Sequence, residues 1–146
     1  MSHVALHRVR YAETDQMGVV YYANHFVWFE IGRAELLRAA GIPYAEFERR
    51  GIFTPVVEAY CKYKSPARYD ELIEIHTSVT TVKGTRFRFE YAIREHETGR
   101  LIAEGYTVLA FTDRSGRPIA IEQLHPDIHG MLKRMCEKGV DRSDGV

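Results

Sequence analysis

Cysteine is scarce in the 146-residue sequence, which holds only Cys61 and Cys136. Two are too few for a disulfide framework, so a bridge-stapled secreted scaffold is not expected and reduced thiols are. Net charge is also missing, because 20 Lys+Arg balance 20 Asp+Glu. A broadly basic surface, which counterion release from nucleic acid requires, is therefore not indicated. No apolar run reaches ~18 residues, so no membrane span is expected. The opening residues Met1 to Arg8 lack the apolar stretch and small-residue cleavage site of a secretion signal. A cytoplasmic protein is the expectation.

Familiar catalytic signatures are absent as well. There is no Gly-rich phosphate loop, no Gly-x-Ser-x-Gly elbow and no His-Glu-x-x-His. His125 and His129 stand four apart with Asp127 between them, a spacing that suits a metal on a helix. No third ligand cluster accompanies them, so neither metal nor cofactor is expected.

What is present is ordinary globular material, 45% hydrophobic and 27% charged. One domain over residues 1–136 is expected, followed by a polar, frayed tail over 137–146. Val4 to Tyr11 reads as a strand, and the polar run Ala12 to Gly18 as a loop. Asn24 to Ala40 has helical periodicity, with Asn24 as candidate N-cap and Gly41-Ile42-Pro43 as the stop. A short helix is expected over Tyr44 to Arg50 and a last one over Pro126 to Met135. Four strands lie between, at Phe53 to Tyr63, Leu72 to Val82, Arg86 to Glu95 and Leu101 to Thr112. Alternation is clearest in Ile73, Ile75, Thr77, Val79 and in Phe87, Phe89, Tyr91, Ile93. Short turns between them favour antiparallel neighbours.

The long helix carries Phe26, Val27, Trp28, Phe29, Ile31, Ala34, Leu36 and Leu37 around most of its circumference. A helix apolar nearly all round is a buried one, and a curved sheet would wrap it. The layout is α+β: a long buried helix wrapped by a five-stranded antiparallel sheet.

Chemistry concentrates just ahead of that helix, in Thr14-Asp15-Gln16-Met17-Gly18-Val19-Val20-Tyr21-Tyr22-Ala23-Asn24-His25. The first N–H groups of a helix have no intrahelical acceptor and suit an anionic or polarised group. A carboxylate beside them can attack an activated carbonyl or hold a water as general base, while the N–H groups stabilise the oxyanion. The same Asp15 could instead simply cap its turn.

The run Tyr11 to Tyr21 resembles the 4-hydroxybenzoyl-CoA thioesterase family of hotdog-fold proteins, nearest its Tol–Pal-associated acyl-CoA thioesterase branch. The likeness continues through Ala23-Asn24, Pro55 to Glu58, Ser65 to Leu72 and Lys83-Gly84-Thr85. It implies a hotdog fold and hydrolysis of an acyl-CoA thioester. By that resemblance Asp15 is the catalytic carboxylate, nucleophile or general base, and the backbone N–H of Tyr22 polarises the carbonyl. Gly18 matches a loop glycine, where close approach or positive φ excludes a side chain. Tyr22 stands where relatives of the nearest branch often carry histidine, and His25 lies three residues later.

Glu58 reads equally as a site-lining acceptor or as a polar strand residue. Lys83-Gly84-Thr85-Arg86 offers cations and a backbone N–H to the pantetheine or phosphates of coenzyme A, with Lys62, Lys64 and Arg68 as further candidates. Tyr21 and Tyr60 are candidate pocket residues, whereas Trp28 and Phe29 read better as core. The resemblance also implies a homodimer, or a dimer of dimers (a homotetramer), with each site shared between chains. A non-catalytic acyl-CoA or protein-binding module on the same fold is the rival reading.

Overall fold

The computed structural model describes residues 2–139. Five antiparallel strands form one sheet: β1 (Ser2–Arg8), β2 (Val56–Tyr63), β3 (Leu72–Lys83), β4 (Arg86–Glu95) and β5 (Leu101–Ala110), in the order β1-β3-β4-β5-β2. Four helices accompany it: α1 (Asn24–Ala39), α2 (Tyr44–Arg49), α3 (Ile121–Leu124) and α4 (Pro126–Gly139). The α+β layout read from the sequence is the one observed. α4 runs beyond Met135 to Gly139, and residues 140–146 of the polar tail lie outside the described residues.

The strand alternation does what its period requires. Ile73, Ile75, Thr77 and Val79 of β3 and Phe87, Phe89, Tyr91 and Ile93 of β4 are buried on one face. Against them pack Trp28, Phe29, Leu36 and Leu37 of α1, all fully buried. Phe29 stacks on Tyr91 with ring centroids 4.1 Å apart, and Phe87 on Phe111 at 4.4 Å. Gly32 lets the helix come this close. A Cβ there would lie 2.3 Å from Thr77 Oγ1 and 2.7 Å from Ile75 Cγ2.

Burial of α1 is one-sided rather than complete. His25, Trp28, Phe29, Gly32, Leu36 and Leu37 face the sheet, while Val27 is 49% exposed and Glu30 and Arg38 face outward. An open sheet on one side of a helix leaves its far side uncovered, which the apolar count alone did not reveal. The helix ends where expected, with Gly41 at φ +89 in the left-handed region.

Its start differs from expectation. Ala23, not Asn24, is the N-cap, and it already has helical φ and ψ. The Asn24 side chain caps nothing; its Nδ2–H donates to the Glu13 carbonyl at 2.9 Å. β1 also stops early, at Arg8, because Tyr11–Glu13 closes into a 3₁₀ turn. This leaves a compact connection, residues 9–23, folded across the beginning of α1.

Candidate active site

Glu13 organises that connection, although no local pattern in the sequence singles it out. Its carboxylate accepts the Arg10 N–H at 2.7 Å, His7 Nε2–H at 3.0 Å and the Trp28 indole N–H at 2.8 Å. Its carbonyl accepts the Tyr21 N–H at 2.8 Å as well as the Asn24 amide. One residue thus ties β1, the loop and α1 together. Burial pushes the Glu13 carboxyl up, but the Arg10 N–H, His7 and Trp28 outweigh it and hold it below its ordinary value.

The depressed value fixes a sign. Glu13 contributes stability above the ordinary carboxylate range, and that contribution is lost as pH falls through its lower folded value. Glu13→Gln is expected to cost about 1–3 kcal/mol near neutral pH, the usual cost of leaving such partners unsatisfied. Chemical denaturation across pH checks this: the gap to wild type should close in acid.

Asp15 follows in a tight loop fastened by a bridge between Thr14 and Val20. The Asp15 N–H donates to the Val19 carbonyl at 2.9 Å, and Gly18 N–H to the Asp15 carbonyl at 3.0 Å. Oδ1 accepts the Met17 N–H at 2.8 Å, so Asp15 does cap its own turn. Oδ2 has no partner among the described residues. Gly18 sits at φ +79, and a Cβ there would meet nothing within 4 Å, so the turn, not crowding, accounts for this glycine.

Two free donors face outward beyond this loop. The Tyr21 N–H is held by Glu13, and the Tyr21 carbonyl accepts the Asn24 N–H at 2.9 Å. In a trans peptide that carbonyl directs the Tyr22 N–H the opposite way, out of the helix start. The Tyr22 carbonyl accepts from both His25 Nδ1 and the Tyr63 hydroxyl, each at 2.9 Å, which orients the Ala23 N–H likewise. Among the described residues neither N–H has an acceptor.

Tyr22, His25, Val19, Val20, Tyr63 and Ala67 line an open cleft of about 310 Å³ at this helix start. His25 is 3% exposed, its ring edge-on to Tyr63 with centroids 4.7 Å apart. Burial, opposed by its bond to Tyr22, pushes the His25 imidazole below its ordinary value. The Tyr21 ring lies 4.8 Å from that of Tyr22. A hydrogen bond with Tyr22, and to a lesser degree the Asp15 charge, raises the Tyr21 phenol. Asp15, Gly18, Tyr21 and Tyr22 therefore share one locality.

The remaining candidates are elsewhere. Trp28 and Phe29 are fully buried core. Glu58 and Tyr60 lie on the exposed strand β2, where Glu58 bonds Tyr106 and Tyr60 stacks on the Tyr106 ring at 5.4 Å. Lys64 lines the cleft rim and is 3.6 Å from Glu104; Arg68 reaches the Gly18 carbonyl at 3.5 Å. The turn Lys83 to Arg86 is at the opposite end of the sheet, since Arg8 pairs with Leu72 at the start of β3 and Lys83 closes its far end. Eleven strand steps separate these ends by roughly 35 Å. Within one chain that turn does not reach Asp15. His129 lies 3.9 Å from Glu122, and no group of three or more His, Cys, Asp or Glu is arranged for a metal among the described residues.

The fold is of the hotdog type, a five-stranded antiparallel sheet with a long helix packed on it, and the comparisons with known proteins agree. Residues 9–135 match the thioesterase-like superfamily, and the chain belongs to it. It is 36% identical over 121 residues to the putative acyl-CoA thioesterase YneP of Bacillus subtilis, covering 83% of this chain and 88% of that one. The acyl-CoA thioester hydrolase YbgC of Escherichia coli is 34% identical over 59% of this chain and 64% of its own length. Among solved structures, the DHNA-CoA thioesterase of Staphylococcus aureus superposes with a TM-score of 0.89 at 29% identity, covering 99% of this chain and 96% of that one. No helix among the described residues is long and apolar enough to cross a membrane.

Proposed function

We propose that the protein hydrolyses the thioester of an acyl-CoA to a carboxylic acid and free coenzyme A. One observation carries the reading: a carboxylate with one oxygen held and one unpartnered, in a loop pinned beside two unfilled N–H donors at a helix start. A thioester is already activated, because sulfur donates poorly into its carbonyl and thiolate leaves readily. It needs orientation, an oxyanion donor and a placed attacker rather than a triad. Asp15 is that attacker, directly or through water. The Tyr22 N–H holds the carbonyl oxygen, with Gly18 and Tyr21 shaping the approach.

Assembly completes the site. β2 is an edge strand exposed along its length, with Val56, Val57, Tyr60 and Tyr63 each about 45% exposed. Such an edge invites a strand from a second copy, giving a homodimer or a dimer of dimers. Antiparallel pairing of two β2 edges sets one chain's Lys83 to Arg86 turn at the same end as the other's Asp15. Lys83, Gly84, Thr85 and Arg86 of one chain then serve the phosphates or pantetheine of coenzyme A bound at the other, with Glu58 near the junction.

The run Tyr11 to Tyr21 further supports a place near the Tol–Pal-associated branch, with Tyr22 as its departure. Acyl-CoA as substrate favours the cytoplasm. A thiol-release screen over short, long and aromatic acyl-CoAs tests the activity. Release from at least one class is expected. Calorimetric binding of coenzyme A esters with no release across the panel would favour a non-catalytic acyl-CoA-binding module.

A further inference from the structure

His25 holds an unused lone pair inside the cleft. Its Nδ1 faces a carbonyl, which only accepts, so Nδ1 carries the proton and donates to Tyr22 at 2.9 Å. Nε2 in the neutral ring is then a bare acceptor. It has no partner among the described residues, yet it is not among the sealed unpaired atoms, so it keeps an opening to the cleft. An acceptor left without a partner on a side chain this buried is costly. Water or substrate is the partner that removes the cost.

The surroundings favour a neutral ring at rest. Tyr63 of β2 faces it edge-on, and Trp28 of α1 lies 5.0 Å away with its N–H turned to Glu13. Tyr22 is on the approach, and Lys64 at the rim is paired to Glu104. Burial also lowers the imidazole. Among the described residues no carboxylate makes a hydrogen bond to the ring.

We propose that His25 Nε2 binds and deprotonates the water that completes hydrolysis. The proposal rests on thioester hydrolysis at this cleft, and it selects direct attack for Asp15. Asp15 Oδ2 bonds the thioester carbon, the C–S bond breaks and coenzyme A leaves as thiolate. Water then attacks the acyl carbon of the mixed anhydride and gives one proton to His25 Nε2, and the Asp15 carboxylate departs. The imidazolium passes that proton to the thiolate, so thioester and water become acid and free thiol.

His25→Asn is the informative variant, because its amide N–H can replace the Nδ1–H donated to Tyr22 while no base remains. Steady turnover is expected to fall about 100-fold, the lower end of general-base contributions. Thiol should appear as a burst of about one per site before the slow phase, because acyl-enzyme accumulates. Turnover within twofold of wild type and no burst would overturn the proposal. Nitrogen NMR of the wild-type imidazoles gives a readout independent of activity: His25, identified by its loss in the variant, should be an Nδ1–H tautomer. An Nε2–H tautomer overturns the proposal even if thiol is released. Absence of thiol release by wild type, with the Nδ1–H tautomer present, would instead remove the thioesterase reading.

Discussion

Asp15→Asn should reduce thiol release from an acyl-CoA by at least about 100-fold while leaving the fold intact, as expected when a positioned attacker or base is removed. The substitution separates the turn-capping bond of Asp15 from its proposed catalytic role. Its Oδ1 accepts the Met17 N–H, and an asparagine Oδ1 can keep that bond, so the turn survives. The unpartnered Oδ2 becomes an amide nitrogen that neither attacks nor accepts a proton. Kinetics with matched circular dichroism decide the matter. Wild-type turnover in a folded Asp15→Asn would reduce Asp15 to a turn cap.

Gly105→Ala should have the largest effect on stability and assembly together. A Cβ at Gly105 would lie 2.1 Å from the Tyr60 carbonyl oxygen, 3.0 Å from its carbon and 3.1 Å from Cys61 Cα. All three are backbone atoms of β2, so no rotamer change relieves the clash. β2 must move off β5, at a cost of about 3 kcal/mol or somewhat more. For a chain of this size that lowers Tm by roughly 6–12 °C. Because β2 is also the proposed pairing edge, light scattering should show a weakened dimer. A variant as stable and as associated as wild type would contradict both the close packing and the role of this edge.

Much of this arrangement is legible in the residues. The two-residue alternation of β3 and β4 marks the buried face because each strand has one side against α1. Gly41 marks the helix end because only glycine takes its φ cheaply. The Asp15 loop stands out by its polarity just before an apolar helix. Glu13 does not, although it lies in the same run: its partners His7 and Trp28 are 6 and 15 positions away, a relation no local period encodes. Asn24 is a cap by residue type, and only the folded loop shows its amide drawn to Glu13 instead. The distance from the Lys83 turn to Asp15 depends on strand register, which composition does not carry. His25 needed its carbonyl partner to reveal which nitrogen is bare.

On the proposed chemistry the thioester lies between Asp15 and the start of α1. A crystal structure of the Asp15→Asn protein with an uncleaved acyl-CoA tests it most directly. The thioester carbonyl oxygen is expected within hydrogen-bond distance of the Tyr22 N–H, its carbon facing the residue 15 side chain. An ordered thioester lodged elsewhere, with the Tyr22 N–H turned to water, would contradict it.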